Sequence, residues 1–202
     1  MNYLVAVRAL CEFTAKRGDL DLRFTPAPSA QEGIAGHALG QGRRPPGYQS
    51  EVRLEGSYRH LQIRGRADGY DPAQGQLEEI KTHRGDLSLM PDNQRELHWA
   101  QLRIYGHLFL QQQTPATGAT PVCTQTAMPH LRLALVYFDI DQERETVFYE
   151  HHTATTLEHY FEQQCAIFLD WADAELAQRA QRNAEPDRGG PRRLAQPSDC
   201  GK

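Results

Sequence analysis

The stretch from Gly65 to Tyr105 constrains this chain more than any other. It opens Gly65-Arg66-Ala67-Asp68-Gly69-Tyr70, continues Leu77-Glu78-Glu79-Ile80-Lys81-Thr82, and closes His98-Trp99-Ala100-Gln101-Leu102-Arg103-Ile104-Tyr105. Side chains alternate faces along a strand, so Glu79 and Lys81 share one face and Ile80 takes the other. The run His60 to Asp68 reads as a second strand with Asp68 at its end. Between the two, Gly69 to Gln76 contains Asp71-Pro72 and Gly75, which is turn chemistry. A hairpin here brings Asp68 near Glu79. Two carboxylates at close range repel unless a cation lies between them. Hard oxygen donors suit Mg2+ or Mn2+, and a lysine alongside can orient a water for attack on phosphorus. Taken alone, Asp…Glu-x-Lys is equally the pattern of a solvated ion pair on a sheet face, which is worth little.

Two helices flank this hairpin in the sequence. Ser29-x-x-Glu32 is a capping box, opening a helix that runs through Leu39 and carries His37. Gly33 and Gly36 weaken that helix by propensity, but small residues let it approach a neighbour closely. Asn93-x-x-Glu96 caps a longer helix that runs to about Gln112. On it, Gln94, His98, Gln101 and Tyr105 fall at i, i+4, i+7 and i+11, a single polar stripe.

The remaining segments complete a single α/β domain. Tyr3 to Lys16 reads as a short helix and Leu20 to Pro28 as extended chain. Arg43-Arg44-Pro45-Pro46 forms a basic loop, either a phosphate contact or a solvated turn. Gln49–Tyr58 alternates as a half-buried strand, Leu131–Phe138 is a buried strand, and Glu145–His152 pairs with it. Neighbouring His151 and His152 face opposite sides, so they are structural. Thr155-x-x-Glu158 caps a last helix with an apolar stripe of Leu157, Phe161, Cys165, Phe168 and Ala172. The expected core is a mixed sheet of about five strands (near 49–58, 60–68, 76–82, 131–138 and 145–152) with helices on both sides. The domain spans 1–180. A Gln-, Thr-, Ala- and Pro-rich flexible insert lies at 111–129, and a polar basic tail or linker follows at 181–202. In the strand ending at Asp68, Arg64 and Arg66 share the face of that aspartate. They either neutralise the site, touch a nucleic acid, or make ordinary cross-strand pairs.

At 202 residues the chain is one domain of ordinary size, able to bury a real core. It is too short for a helicase motor and has no Gly-x-x-x-x-Gly-Lys-Ser/Thr loop. The net charge of −4 leaves any DNA contact to local basic patches and metal. The four cysteines, Cys11, Cys123, Cys165 and Cys200, show no zinc spacing and are read as unpaired thiols in a reducing compartment. No signal peptide or membrane-length apolar run is visible, so the expected location is cytoplasmic.

The motifs together resemble the PD-(D/E)xK nuclease superfamily, in its RecB-type branch. Asp68 matches that family's acidic residue before the turn, and Glu79-Ile80-Lys81 its E-x-K. Gln101 to Tyr105 matches its Q-x-x-x-Y helix, and Gly36-His37 its metal-binding histidine. All four blocks occur in the family's order, from roughly Val5 to Gln178. The opening Val5 to Phe13 and the run Gly65 to Tyr70 look especially like nuclease domains at the N-terminus of bacterial DinG-like (XPD-type) DNA helicases. The resemblance implies a restriction-endonuclease-like fold and a metal-dependent deoxyribonuclease leaving 5′-phosphate and 3′-hydroxyl ends. It implies that Asp68, Glu79, His37 and the Ile80 backbone carbonyl hold Mg2+ or Mn2+, and that Lys81 positions the water. It also implies that Gln101 and Tyr105, with His98 and Arg66 as further candidates, line the DNA groove. Some relatives carry an iron–sulfur cluster on one early and three clustered late cysteines; the scattered cysteines here predict none. The implied partners are DNA, single-stranded or branched, and a helicase in the same chain or a separate one. The alternatives are a catalytically inactive docking module of the same fold and a hydrolase acting on RNA.

Overall fold

The computed structural model describes residues 2–18, 28–113 and 130–184. The chain divides into two compact units, residues 1–169 and 170–202. All but Pro28 of the extended segment expected at 20–28, most of the insert expected at 111–129 and all but the start of the tail expected at 181–202 lie outside the described residues, as do Cys123 and Cys200. Residues 111–113 are the last turn of a helix, and Gln181–Ala184 end another.

In the first unit, β1 (Tyr3–Ala6) leads directly into α1 (Val7–Thr14). These are followed by α2 (Ala30–Gly42), β2 (Gln49–Tyr58), β3 (Leu61–Asp71) and β4 (Gln76–His83). Next come α3 (Asp92–Gln113), β5 (Leu131–Asp139), β6 (Arg144–His152) and α4 (Ala154–Ala184), the last running on into the second unit. There it carries an i, i+4 pair, Arg179 to Glu175. No described helix is long and apolar enough to cross a membrane.

The sheet is mixed, with six strands rather than the expected five. The extra one is β1. The segment expected to be helical from Tyr3 is extended for four residues and pairs parallel to β3, Tyr3 opposite Leu61 and Ala6 opposite Arg64. Four residues are too few for a periodicity to declare itself, and the parallel partner sits more than fifty residues away. The β3–β4 hairpin is longer than expected: Gly69, Tyr70 and Asp71 belong to the strand, paired with Glu78, Leu77 and Gln76. The turn is built by Asp71, whose carboxylate accepts from the Ala73 backbone amide and the Gln74 side chain. Gly75 supplies the positive φ of 59° that the turn requires.

Successive residues of the inner strands point to opposite faces, and both faces are covered. Leu77, Leu133, Leu135 and Tyr137 join α1, α3 and α4 in one large core. Ile80, Val136 and Phe138 form a smaller cluster on the other face, where α2 lies. This is the mixed α/β architecture with helices on both sides that a restriction-endonuclease-like reading requires. Each fully buried Leu or Ile in it contributes about 1.5–3 kcal/mol relative to exposure.

The glycines of α2 explain how that helix reaches the sheet. A Cβ on Gly36 would stand 2.7 Å from Thr82 Cγ2 and 3.0 Å from Ile140 Cγ2, and one on Gly40 would meet Ile80. The Ser29 capping box forms as expected, with the Ser29 hydroxyl accepting from the Glu32 amide and the Glu32 carboxylate accepting from the Ser29 amide. The other two caps fall elsewhere. Asn93 lies inside α3, which starts at Asp92, and donates instead to the Arg17 carbonyl. Thr153, not Thr155, caps α4 by accepting from the Thr156 amide.

Gly36→Ala tests the close approach. The added methyl gains helix propensity of at most about 1 kcal/mol, but overpacking costs about 1–3 kcal/mol. A net loss in denaturant-measured stability is expected. Gly42→Ala, where nothing lies within 4 Å, should be neutral or stabilising.

Candidate active site at the parting of two strands

β3 has two partners along one edge. β1 covers Leu61–Arg64 and β4 covers Gly69–Asp71, which leaves Gly65 to Asp68 between them without a strand partner on that side. Asp68 is the first residue beyond the β3–β4 pairing. Its Oδ2 accepts from the Ile80 backbone amide at 2.6 Å, so a carboxylate replaces the ladder where the strands part. β4 itself continues to pair with β5 through Glu79, Ile80 and Lys81. The expected closeness of Asp68 to the Glu79–Lys81 stretch is therefore present, made by this one bond.

Four elements converge here. From α2, His37 Nδ1 lies 3.5 Å from Asp68 Oδ1. One turn later Gln41 donates to the Asp68 backbone carbonyl at 3.2 Å. From β4, Lys81 Nζ donates to Glu79 Oε1 at 2.6 Å, with both side chains on the α3 face as alternation predicts. From α3, Gln101 Oε1 accepts from Lys81 Nζ at 3.2 Å, and Gln101 Nε2 donates to the Tyr105 hydroxyl at 3.0 Å. The Tyr105 oxygen also takes a hydrogen bond from the Arg66 backbone, in the part of β3 that neither β1 nor β4 covers. Its ring occupies space that only a glycine leaves: a Cβ on Gly65 would stand 2.5 Å from Tyr105 Cε1.

The electrostatics are those of a buried acid beside a lysine. Burial pushes the Glu79 carboxyl above the usual carboxylate range, and the Lys81 ammonium opposes that rise. The hydrogen bond to Asp68 raises the His37 imidazole, against its own partial burial. Glu79 Oε2 is buried and has no hydrogen-bond partner. Such an orphaned carboxylate oxygen is costly unless something positive meets it. Cys11 and Cys165 are buried thiols, each pushed up to about 12 mainly by desolvation.

The other residues expected at the site have surroundings of their own. Tyr105 is only 4% exposed, and its hydroxyl accepts from Gln101, whose Oε1 accepts from Lys81. His98 sits at the core edge, its Nδ1 2.8 Å from the buried Tyr137 hydroxyl, and desolvation lowers its pKa to about 3. A stripe of polar residues looks alike from sequence whether it meets solvent or a buried hydroxyl. Arg66 makes the ordinary cross-strand pair, 2.5 Å from Glu51. Arg44 is neither a solvated turn residue nor a free phosphate contact. Its guanidinium is nearly buried between Glu78 at 2.7 Å and Glu145 at 2.9 Å, with the Tyr48 hydroxyl also donating to Glu78. Arg43 pairs with Glu143. Gln41, which sequence reasoning passed over, was visible only as the residue one turn after His37.

No protein-family model matches the chain, and no curated protein does. Among solved structures the chain is similar to one named SSO0001, at 21% identity and TM-score 0.48, covering 83% of this chain and 77% of that one. It is also similar to a phage-related exonuclease from Haemophilus somnus 129PT, at 13% identity and TM-score 0.46, covering 86% and 82%.

The partial burial of His98 has a measurable consequence. Its folded pKa lies below the unfolded value near 6.5. Stability is therefore full above about pH 6.5 and falls as the pH drops toward 3, because only the unfolded state takes the proton. His98→Gln should flatten that limb, by up to about 1.4 kcal/mol per pH unit, in denaturant melts run at stepped pH.

Proposed function

We propose that this chain is a metal-dependent nuclease acting on DNA. The observation that carries the reading is the convergence of Asp68, Glu79 and Lys81 where β3 and β4 part, with an unpartnered buried oxygen on Glu79. The ordered resemblance to the PD-(D/E)xK motifs supports it, because the matching residues are the ones that meet.

The donor set fits a divalent cation. Two carboxylates offer hard oxygens, one of them orphaned, and an imidazole stands against the other. Among the described residues no three His, Cys, Asp or Glu side chains stand close enough to hold an ion by themselves. Mg2+ has no need of such a cage, since it is ordinarily held by one or two carboxylates and keeps several waters. Asp68 and Glu79 would be the principal ligands, with His37 and the Ile80 carbonyl completing the set; His37 tilts the preference toward Mn2+. The bound ion supplies Lewis-acid stabilisation of the charge that develops on the phosphoryl oxygens.

The remaining work falls to the protein's own groups. Lys81, held by Glu79 and Gln101, orients the water that attacks phosphorus and stabilises the negative charge arising there. Gln101 and Tyr105 fix the lysine, and Gln41 with His37 fixes Asp68. Hydrolysis breaks the P–O3′ bond, leaving a 5′-phosphate and a 3′-hydroxyl. The likeness of the motif run to helicase-linked nuclease domains supports a place in DNA repair or recombination beside a helicase.

The test is cleavage of labelled single-stranded DNA, double-stranded DNA and matched RNA with Mn2+, Mg2+ or EDTA. Cutting of DNA with metal, abolished by EDTA and lowered about 100- to 10,000-fold in Lys81→Ala, is expected. Full activity in Lys81→Ala or Glu79→Ala contradicts the assignment, and faster cutting of RNA changes the substrate class. Gln101→Ala separates two roles for that residue. As a support for Lys81 it should lower kcat about 10- to 100-fold with KM unchanged. A raised KM at constant kcat would instead return it to the DNA groove.

A further inference from the structure

β4 and β5 run parallel, and a crevice outside the carboxyl ends of parallel strands is a common place for a ligand. Here that crevice exists. It is a cavity of about 630 Å3 lined by the strand-end residues His83 and Asp139, by Asp86, and by Gln142, Arg144 and Thr146 around the β5–β6 turn. Its volume lies in the range that holds a small organic group. None of the residues described at the strand parting lines it.

Three properties of the lining define what fits. First, His83 is 6% exposed and its Nδ1 has no hydrogen-bond partner, so the site carries an unmet polar group. Second, Asp139 and Arg144 are directly opposed across β5 and β6, yet they form no ion pair among the described residues. Asp139 spends Oδ1 on the backbone amides of Asp141 and Gln142, and the exposed Arg144 guanidinium is left open. Third, the lining is not net cationic. Asp86 and Asp139 stand against Arg144, and Glu145 is already paired with Arg44. With two carboxylates against one guanidinium, a bare phosphate would meet more repulsion than attraction. A neutral planar ring with donors on one edge and acceptors on another meets neither penalty. Carboxylates accept from ring and amino N–H groups, and a guanidinium donates in a fork to adjacent acceptors.

We propose that this crevice is a nucleobase subsite for the strand cut at the neighbouring site, and that guanine is its best complement. Guanine alone among the bases offers an O6/N7 acceptor pair for arginine together with adjacent N–H donors for a carboxylate. The position suits this role. His83 lies two residues beyond Lys81 on the same face of β4, about 6.6 Å along the strand. A nucleotide whose phosphate is at Lys81 therefore has its base within reach of His83. The assignment deepens the nuclease reading and rests on it for the word "cut", but base binding is testable without cleavage.

The experiment titrates the intact protein, in EDTA, with GMP, AMP, CMP and TMP by calorimetry, for the parent and for Arg144→Ala and His83→Ala. Arg144 is exposed, so its variant is expected to fold, and a thermal melt checks this. In parallel, cut sites are mapped on a mixed-sequence single strand with Mn2+. The proposal expects GMP to bind about tenfold or more tighter than the others, that preference to vanish in Arg144→Ala, and cutting beside guanine to lose its bias while cutting of a thymine homopolymer is unchanged. Equal binding of all four nucleotides, or GMP binding indifferent to both substitutions, overturns the subsite even if the enzyme cuts DNA. Selective GMP binding lost in Arg144→Ala, in a protein that cuts nothing, upholds the base pocket and sinks the nuclease reading instead.

Discussion

The hydrogen bond from the Ile80 amide to Asp68 is the interaction on which the site depends. β3 carries β1 and β4 in succession along one edge, so it must part from β4 before β1 can pair with it. At the point of departure a ladder bond is lost, and a buried backbone N–H without a partner is rarely tolerated. The aspartate supplies the acceptor. In doing so its carboxylate is fixed within one residue of Glu79, and its second oxygen is left facing His37. The contact that repairs the sheet also fixes the Asp68 carboxylate beside β4.

The rest of the site keeps that arrangement rigid. On one face, glycines bring α2 close enough for His37 and Gln41 to reach Asp68. On the other, the Gly65 backbone leaves room for the Tyr105 ring, and the hydroxyl of Tyr105 begins a line of contacts through Gln101 to Lys81 and Glu79. The Arg44–Glu78–Glu145 cluster ties the segment after α2 to β4 and β6. Removing one member of so buried a set ordinarily costs about 3–5 kcal/mol, because the partner charge is stranded. Glu79 is a nearly buried acid with one oxygen bonded to Lys81 and the other without a hydrogen-bond partner.

Much of this was legible in the sequence, for physical reasons. Period-two alternation placed Glu79 and Lys81 on one face, and Asp-Pro with Gly75 announced the hairpin. Gly33 and Gly36 announced a close helix, and the Ser29 box its start. What was not legible depended on distant partners or on neighbouring residues. β1 is four residues held by a distant parallel partner. Tyr105 and His98 share a polar stripe whose burial depends on Gly65 and on Tyr137, far away in the chain. Arg44 reads equally as a phosphate contact or a solvated turn until its acids arrive from β4 and β6. Asn93 and Thr155 matched cap patterns, but Asp92 and Thr153 stood where the helices began.

The central claim is that Asp68 and Glu79 form a divalent-cation site. Binding of Mn2+ to the substrate-free protein, followed by loss of the free-ion electron paramagnetic resonance signal, tests it most directly. The account predicts binding in the parent protein that Glu79→Gln and Asp68→Asn each abolish or weaken at least tenfold while the fold is retained. Mn2+ that does not bind, or that binds both variants as well as the parent, would contradict it.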